Sequence, residues 1–194
     1  VRIAIVKYNA GNTASVANAL SRLGAEAVIT DEAEVLSAAD KVIFPGVGEA
    51  STAMSHLRER GLAEIIKSLR QPVLGVCLGM QLLCASSEEN GADCLGVLPY
   101  RVRRFSGDGM KLLHTGWNTI SDLRSPVFDG IAEGEHFYFV HGYFVETGNE
   151  TTATCVYGEP FSAAIQHENF HAVQFHPEKS GVAGQKVLEN FLNL

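Results

Sequence analysis

Short apolar runs alternate with amphipathic stretches through roughly the first 85 residues, and few folds accept that rhythm. Residues 2–6, 27–29, 41–44 and 72–76 read as strands. Asn12 is placed to cap a helix running to about Leu23, with Val16, Ala19, Leu20 and Leu23 at helical spacing and Gly24 as its stop. Acidic residues lead a short helix over 31–39, where they suit a helix N-terminus. Residues 51–60 and 62–69 read as helices parted by Gly61, and 78–85 as another. Strand–helix alternation at this pace implies βαβ units and a parallel sheet.

Beyond residue 100 the character changes. Residues 102–105, 117–120, 136–140, 152–157, 163–166 and 172–175 are short and strand-like, 167–170 suits a turn, and 182–194 a closing helix. The expected fold is α/β: a single-domain open mixed sheet with a parallel core, helices on both faces and added antiparallel strands. A chain of 194 residues suits one domain, 1–194, and buries a core without staples. Its 46% apolar and 19% charged residues are globular composition.

Charge and cysteine usage narrow the classes further. A net charge of −7 argues against a nucleic-acid partner, and the one basic cluster, Arg101-Val102-Arg103-Arg104, fits local surface. No apolar run approaches the ~18 residues of a membrane span. The apolar run at Ile3–Val6 is too short for a signal peptide and reads as a strand. Cysteines 77, 84, 94 and 155 lack C-x-x-C spacing. Cys77 and Cys84, read as sharing a helix, would lie ~10 Å apart along its axis, too far to bridge. Free thiols and a cytoplasmic location are the expectation.

The sharpest chemical signal is Gly75-Val76-Cys77-Leu78-Gly79, after a predicted strand and opening a predicted helix. That is the context of a nucleophile elbow with cysteine in place of serine. Small residues must flank a nucleophile on so tight a turn, and a helix N-terminus favours a thiolate and offers N–H groups. The same five residues also fit a buried structural cysteine. Among seven histidines, His176 ends a strand in Gln174-Phe175-His176-Pro177-Glu178. Pro177 biases His176 to extended backbone, where residues i and i+2 share a side, so Glu178 could hold one imidazole nitrogen while the other faces a cysteine. A surface His-Pro-Glu turn fits too. His167 and His171 have metal-like spacing, but Glu168-Asn169 suggests a turn and no third ligand is near, so no metal is expected. His114, His136 and His141 fit core or surface equally. Pro45-Gly46-Val47-Gly48, after the third strand, could aim N–H groups at an oxyanion beyond the sheet's carboxyl edge, or simply end a strand.

Together, Pro45-Gly46, the elbow continuing as Met80-Gln81-Leu82-Leu83, and Phe175-His176-Pro177-Glu178 resemble the class I (triad) glutamine amidotransferases. Further segments resemble the branch of glutaminase subunits that serve imidazole glycerol phosphate synthase: Tyr8-Asn9-Ala10-Gly11-Asn12, Pro45-Gly46-Val47-Gly48, His114-Thr115-Gly116-Trp117-Asn118, Tyr138-Phe139-Val140-His141 and Val173 to Ser180. The resemblance implies that Cys77 attacks the glutamine side-chain amide, His176 moves the proton and Glu178 holds the imidazole. Water then hydrolyses the thioester. It implies oxyanion donors at Val47 and Leu78, and glutamine contacts at Gly48, Gln81, Glu89, Gly142 and Tyr143. It implies no cofactor. The implied partner is a (β/α)₈-barrel cyclase that receives ammonia through a channel and makes imidazole glycerol phosphate and aminoimidazole carboxamide ribotide. The interface residues would be Asn12, Trp117, Asn118, Tyr138 and Lys179. Two departures stand out. Val47 replaces a third glycine after Pro-Gly, as though to hold the oxyanion turn inactive until the partner signals, and Gly142 replaces a hydroxyl residue. The alternatives are a glutaminase of the same family serving another synthase, against which the 114–118 and 173–180 segments argue; a cysteine peptidase, against which Met80-Gln81 and His-Pro-Glu argue; and a non-catalytic subunit, against which the intact Cys77, His176 and Glu178 argue.

Overall fold

The computed structural model describes residues 1–107, 109 and 111–194. In chain order the elements begin β1 (Ile3–Val6), α1 (Thr13–Arg22), β2 (Ala27–Thr30), α2 (Ala33–Ala38), β3 (Lys41–Gly46), α3 (Ala50–Glu59), α4 (Leu62–Ser68), β4 (Val73–Cys77) and α5 (Leu78–Leu83). There follow β5 (Ser86–Ser87), β6 (Ala92–Asp93), β7 (Arg101–Arg104), β8 (His114–Thr119), β9 (His136–His141) and β10 (Tyr143–Val145). The chain closes with β11 (Thr151–Tyr157), β12 (Glu159–His167), β13 (Phe170–Val173) and α6 (Gly181–Leu192).

The main sheet has the order β11-β12-β13-β4-β3-β1-β2. From β2 to β13 the pairs are parallel; β12 and β11 add to the edge antiparallel. The expected mixed sheet with a parallel core is therefore present. Alternate strand residues face opposite sides. Ala4, Val6, Val42, Phe44 and Val73 pack with α2 to α5. Ile3, Ile5, Ile43, Leu74 and Val76 pack with α1, α6 and the hairpin of β8 and β9. Leu20, Leu57 and Leu188 are fully or almost fully buried in these layers, each contributing about 1.5–3 kcal/mol.

Several local expectations need correcting. Asn12 does not cap α1: it sits at φ 84°, and its side chain makes no capping hydrogen bond. Cys84 lies not on α5 but just past its end, in extended backbone. Strand β10 was not expected, and β12 runs back through Glu159 and Pro160. β3 continues through Pro45 and Gly46, with the Tyr8 hydroxyl donating to the Pro45 carbonyl at 2.7 Å. The basic cluster is local surface as expected, Arg101 pairing with Glu88 and Arg103 with Glu146 and Glu159. Glu49 caps α3 through Ser51 N and Thr52 N at 2.7 and 2.8 Å. Partial burial raises its carboxyl, but these donors and the Ser51 and Thr52 hydroxyls outweigh that and hold it at about 2. The cap anchors the turn that carries Val47 and Gly48.

Candidate active site

β4 is a central strand, and Cys77 ends it at the carboxyl edge of the sheet, where open α/β folds bind ligands. Its backbone adopts φ 53°, ψ −108°, an unfavourable conformation for a residue with a Cβ that surrounding structure must enforce. The neighbouring glycines make this possible. A Cβ on Gly79 would lie 1.8 Å from the Phe44 carbonyl oxygen, because α5 leaves the elbow pressed against β3. A Cβ on Gly75 would lie 2.9 Å from Leu83. Gly46 pairs with Cys77 in register, which puts the Val47-Gly48 turn beside the elbow.

His176 is fully buried and its Nδ1 lies 2.7 Å from Glu178 Oε1. The structure brings these two residues together, but the geometry differs from the extended pair expected. His176 is extended, and Pro177–Lys179 then forms a 3₁₀ turn that brings the carboxylate back. His176 N–H donates to the Tyr138 carbonyl, and Ser180 Oγ donates to the His176 carbonyl while accepting from Tyr138 N–H. These bonds fix the backbone that carries the imidazole. Asn12 Nδ2 donates to the same Glu178 oxygen at 2.5 Å, which is the role its unusual backbone serves. Burial lowers the His176 pKa, but the neighbouring Cys77 sulfur and the Glu178 carboxylate outweigh it and hold the ring above the ordinary histidine range. Burial raises Glu178, yet His176 and Asn12 hold it below the usual carboxylate range. The arrangement favours the imidazolium that forms when Cys77 gives up its proton, as a base that must later deliver that proton requires.

Cys77 opens into a pocket of about 540 Å³ lined by Val47, Gly48, Leu78, Gln81, Glu89, Gly142 and Tyr143. Every residue expected around glutamine, and both expected oxyanion residues, border this one space. Gly48 has φ 126°, a conformation glycine accepts readily. Burial and the nearby Glu49 raise the Glu89 carboxyl, against the hydrogen bond it accepts from Ala50 N–H at 2.8 Å.

The surface residues separate. Trp117 is 56% exposed, which decides between a core and a surface tryptophan, and it stands edge-on to Tyr138. A second hollow of about 520 Å³ adjoins it, bordered by Ser180, Gly181 and Val182. Lys179 is exposed at the rim of the Cys77 pocket. Asn118 turns half inward and Asn12 is committed to Glu178.

The sequence reading left His114 and His141 undecided and did not single out Gln174. His141 Nδ1 lies 2.7 Å from the Tyr143 carbonyl, so it carries the proton and Nε2 accepts from His114 Nδ1 at 2.9 Å. His114 Nε2 in turn accepts from Asn118. Burial pushes His114 down to about 4 and His141 to about 3, against the raising effect of the Tyr143 carbonyl on His141. Below pH 6.5 the unfolded chain takes up protons that the folded pair refuses. Stability is therefore expected to fall between pH 6.5 and 4, by up to about 1.4 kcal/mol per pH unit for each ring. Urea unfolding at stepped pH checks this, with the two rings' proton chemical shifts staying flat above pH 5.

The fold and this site define a glutamine amidotransferase. The chain belongs to the class-I glutamine amidotransferase family, whose model matches residues 4–194. It is 57% identical to the imidazole glycerol phosphate synthase subunit HisH of Bacteroides fragilis (strain YCH46), over all of both chains. It is 46% identical to the HisH subunit of Escherichia coli (strain K12), again over all of both. A solved glutamine amidotransferase superposes with TM-score 0.76 at 22% identity, covering 100% of this chain and 98% of that one. PurLQS from Thermotoga maritima gives 0.75 at 19%, covering 99% and 97%. These two structures share the fold.

Proposed function

We propose that this chain is the glutaminase subunit of imidazole glycerol phosphate synthase. What carries the reading is Cys77 on its strained elbow, facing a pocket beside a Glu178-locked His176, in a chain matched to HisH along its whole length. In this reading Cys77 sulfur attacks the side-chain amide carbon of glutamine while its proton passes to His176 Nε2. That nitrogen has no hydrogen-bond partner among the described residues. The tetrahedral oxyanion is met by backbone N–H groups of Leu78 and Val47, each such donor being worth about 10²–10³ in rate. His176 returns the proton to the leaving nitrogen, ammonia departs, and water, deprotonated by His176, cleaves the thioester to glutamate. Gln81, Glu89, Gly48, Gly142 and Tyr143 surround the glutamine.

Ammonia released into water would protonate and lose its nucleophilicity, so the reading includes a (β/α)₈-barrel cyclase docked over this end and a channel between the two. The exposed Trp117 and Lys179 and the half-buried Tyr138 suit that surface, aromatics being enriched at interface cores. The Val47-Gly48 turn is the element the partner would reset. A cytoplasmic location goes with this role; among the described residues, no helix is long and apolar enough to cross a membrane. The test is glutamate release by the chain alone, then with the cyclase and its ribotide ligand, with Cys77→Ala as control. Stimulation by the partner that vanishes in Cys77→Ala is expected. High activity indifferent to the cyclase would retain the triad and overturn the gating.

A further inference from the structure

We propose that Gln174 is a positioning residue for the nucleophile, donating a hydrogen bond to the sulfur of Cys77; this rests on the glutaminase reading for its role in turnover. Gln174 is fully buried, on the residue after β13 and between apolar Val173 and Phe175. An amide taken out of water is costly unless its polar atoms are bonded, so its presence in an apolar run calls for partners. Its Nε2 lies 3.6 Å from Cys77 Sγ, and its Oε1 accepts from Gln81 Nε2 at 3.0 Å.

The direction of these bonds follows from a backbone group. Gln81 Nε2 also lies 2.9 Å from the carbonyl oxygen of Tyr143, which can only accept. Gln81 therefore presents its NH₂ to both neighbours, Gln174 must answer with its oxygen, and its own NH₂ is left for the sulfur. The Tyr143 carbonyl is shared with His141 Nδ1–H, itself held by His114 and Asn118. Each member has one consistent donor–acceptor assignment, which makes the network rigid.

The thiol then has two unlike neighbours besides His176. The Val140 carbonyl, 3.9 Å away, is an acceptor that suits the S–H form. Gln174 is a donor, which suits the sulfur once its proton has gone, and hydrogen bonding to a charged form favours that form. Gln174 thereby holds the sulfur on its side of the elbow while His176 takes the proton.

Alkylation of Cys77 tests this in the full-length chain without glutamine or partner. Iodoacetamide labelling is followed by mass spectrometry of the Cys77 peptide at pH 7 and pH 9.5. Gln174→Met keeps the volume and removes the donor. It is expected to slow labelling about tenfold at pH 7, with the deficit narrowing to about twofold at pH 9.5. Gln174→Glu, which sets a carboxylate against the sulfur, is expected to be slower than Gln174→Met at pH 7. In the assembled enzyme kcat should fall while KM for glutamine holds. Equal labelling by parent and a folded Gln174→Met, or no difference between the Met and Glu variants, overturns the proposal. If Gln174→Met unfolds, Gln81→Met removes the group that orients the amide and should slow labelling about threefold at pH 7; no change there overturns it too. Failure of the parent to release glutamate would sink the functional reading and leave the labelling result standing.

Discussion

Replacing Glu178 with alanine is expected to lower kcat for glutamine hydrolysis in the assembled enzyme by about 10⁴, while Glu178→Gln costs only about 10². The reason is that His176 Nδ1 and Asn12 Nδ2 both donate to one oxygen, Oε1. A glutamine can keep its carbonyl oxygen there and so preserve the imidazole tautomer. What it removes is the negative charge that helps hold the ring's pKa up and stabilises the imidazolium formed when Cys77 gives up its proton. Alanine removes both the charge and the orientation. The Glu178→Gln variant should also show its basic limb displaced toward the ordinary histidine range in a pH–rate profile. Equal losses in the two variants would mean that the shared oxygen does not set the tautomer.

The parallel half of the fold was legible because β1, β3 and β4 are buried along their whole length and its helices are punctuated by glycine. Gly24 and Gly61 both take left-handed backbone where the sequence placed a helix stop and a helix junction. Edge elements were harder. β5 and β6 are two residues each, too short to carry an apolar run, and β12 starts at Glu159-Pro160, ahead of its buried stretch 161–165. At the site, Cys77, His176 and Glu178 could be read because elbow and His-Pro-Glu are local patterns. Asn12 could not. An asparagine at a helix start reads as a cap, and only the tertiary fold brings it to Glu178, 166 residues away. Gln174 did leave a signal: a polar side chain inside an otherwise apolar strand end implies a buried partner.

Gly79→Ala is expected to destabilise the chain by more than about 4 kcal/mol, enough to abolish soluble protein or collapse the urea midpoint. The new methyl would stand 1.8 Å from the Phe44 carbonyl oxygen, a backbone atom in the parallel centre of the sheet that cannot turn aside. Relief requires α5 to lift from β3, which unpacks Leu78, Leu82 and Leu83 and pulls the Cys77 elbow off the sheet edge. Gly75→Ala is the informative contrast. Its methyl would meet the end of the Leu83 side chain at 2.9 Å and the Met80 nitrogen at 3.1 Å, and the leucine can rotate. A loss of about 1–3 kcal/mol with a folded but slow enzyme is expected. If Gly79→Ala folded with near-parent stability, close packing of α5 on β3 would not be what requires glycine at this turn. The demand would then lie in the elbow's backbone alone.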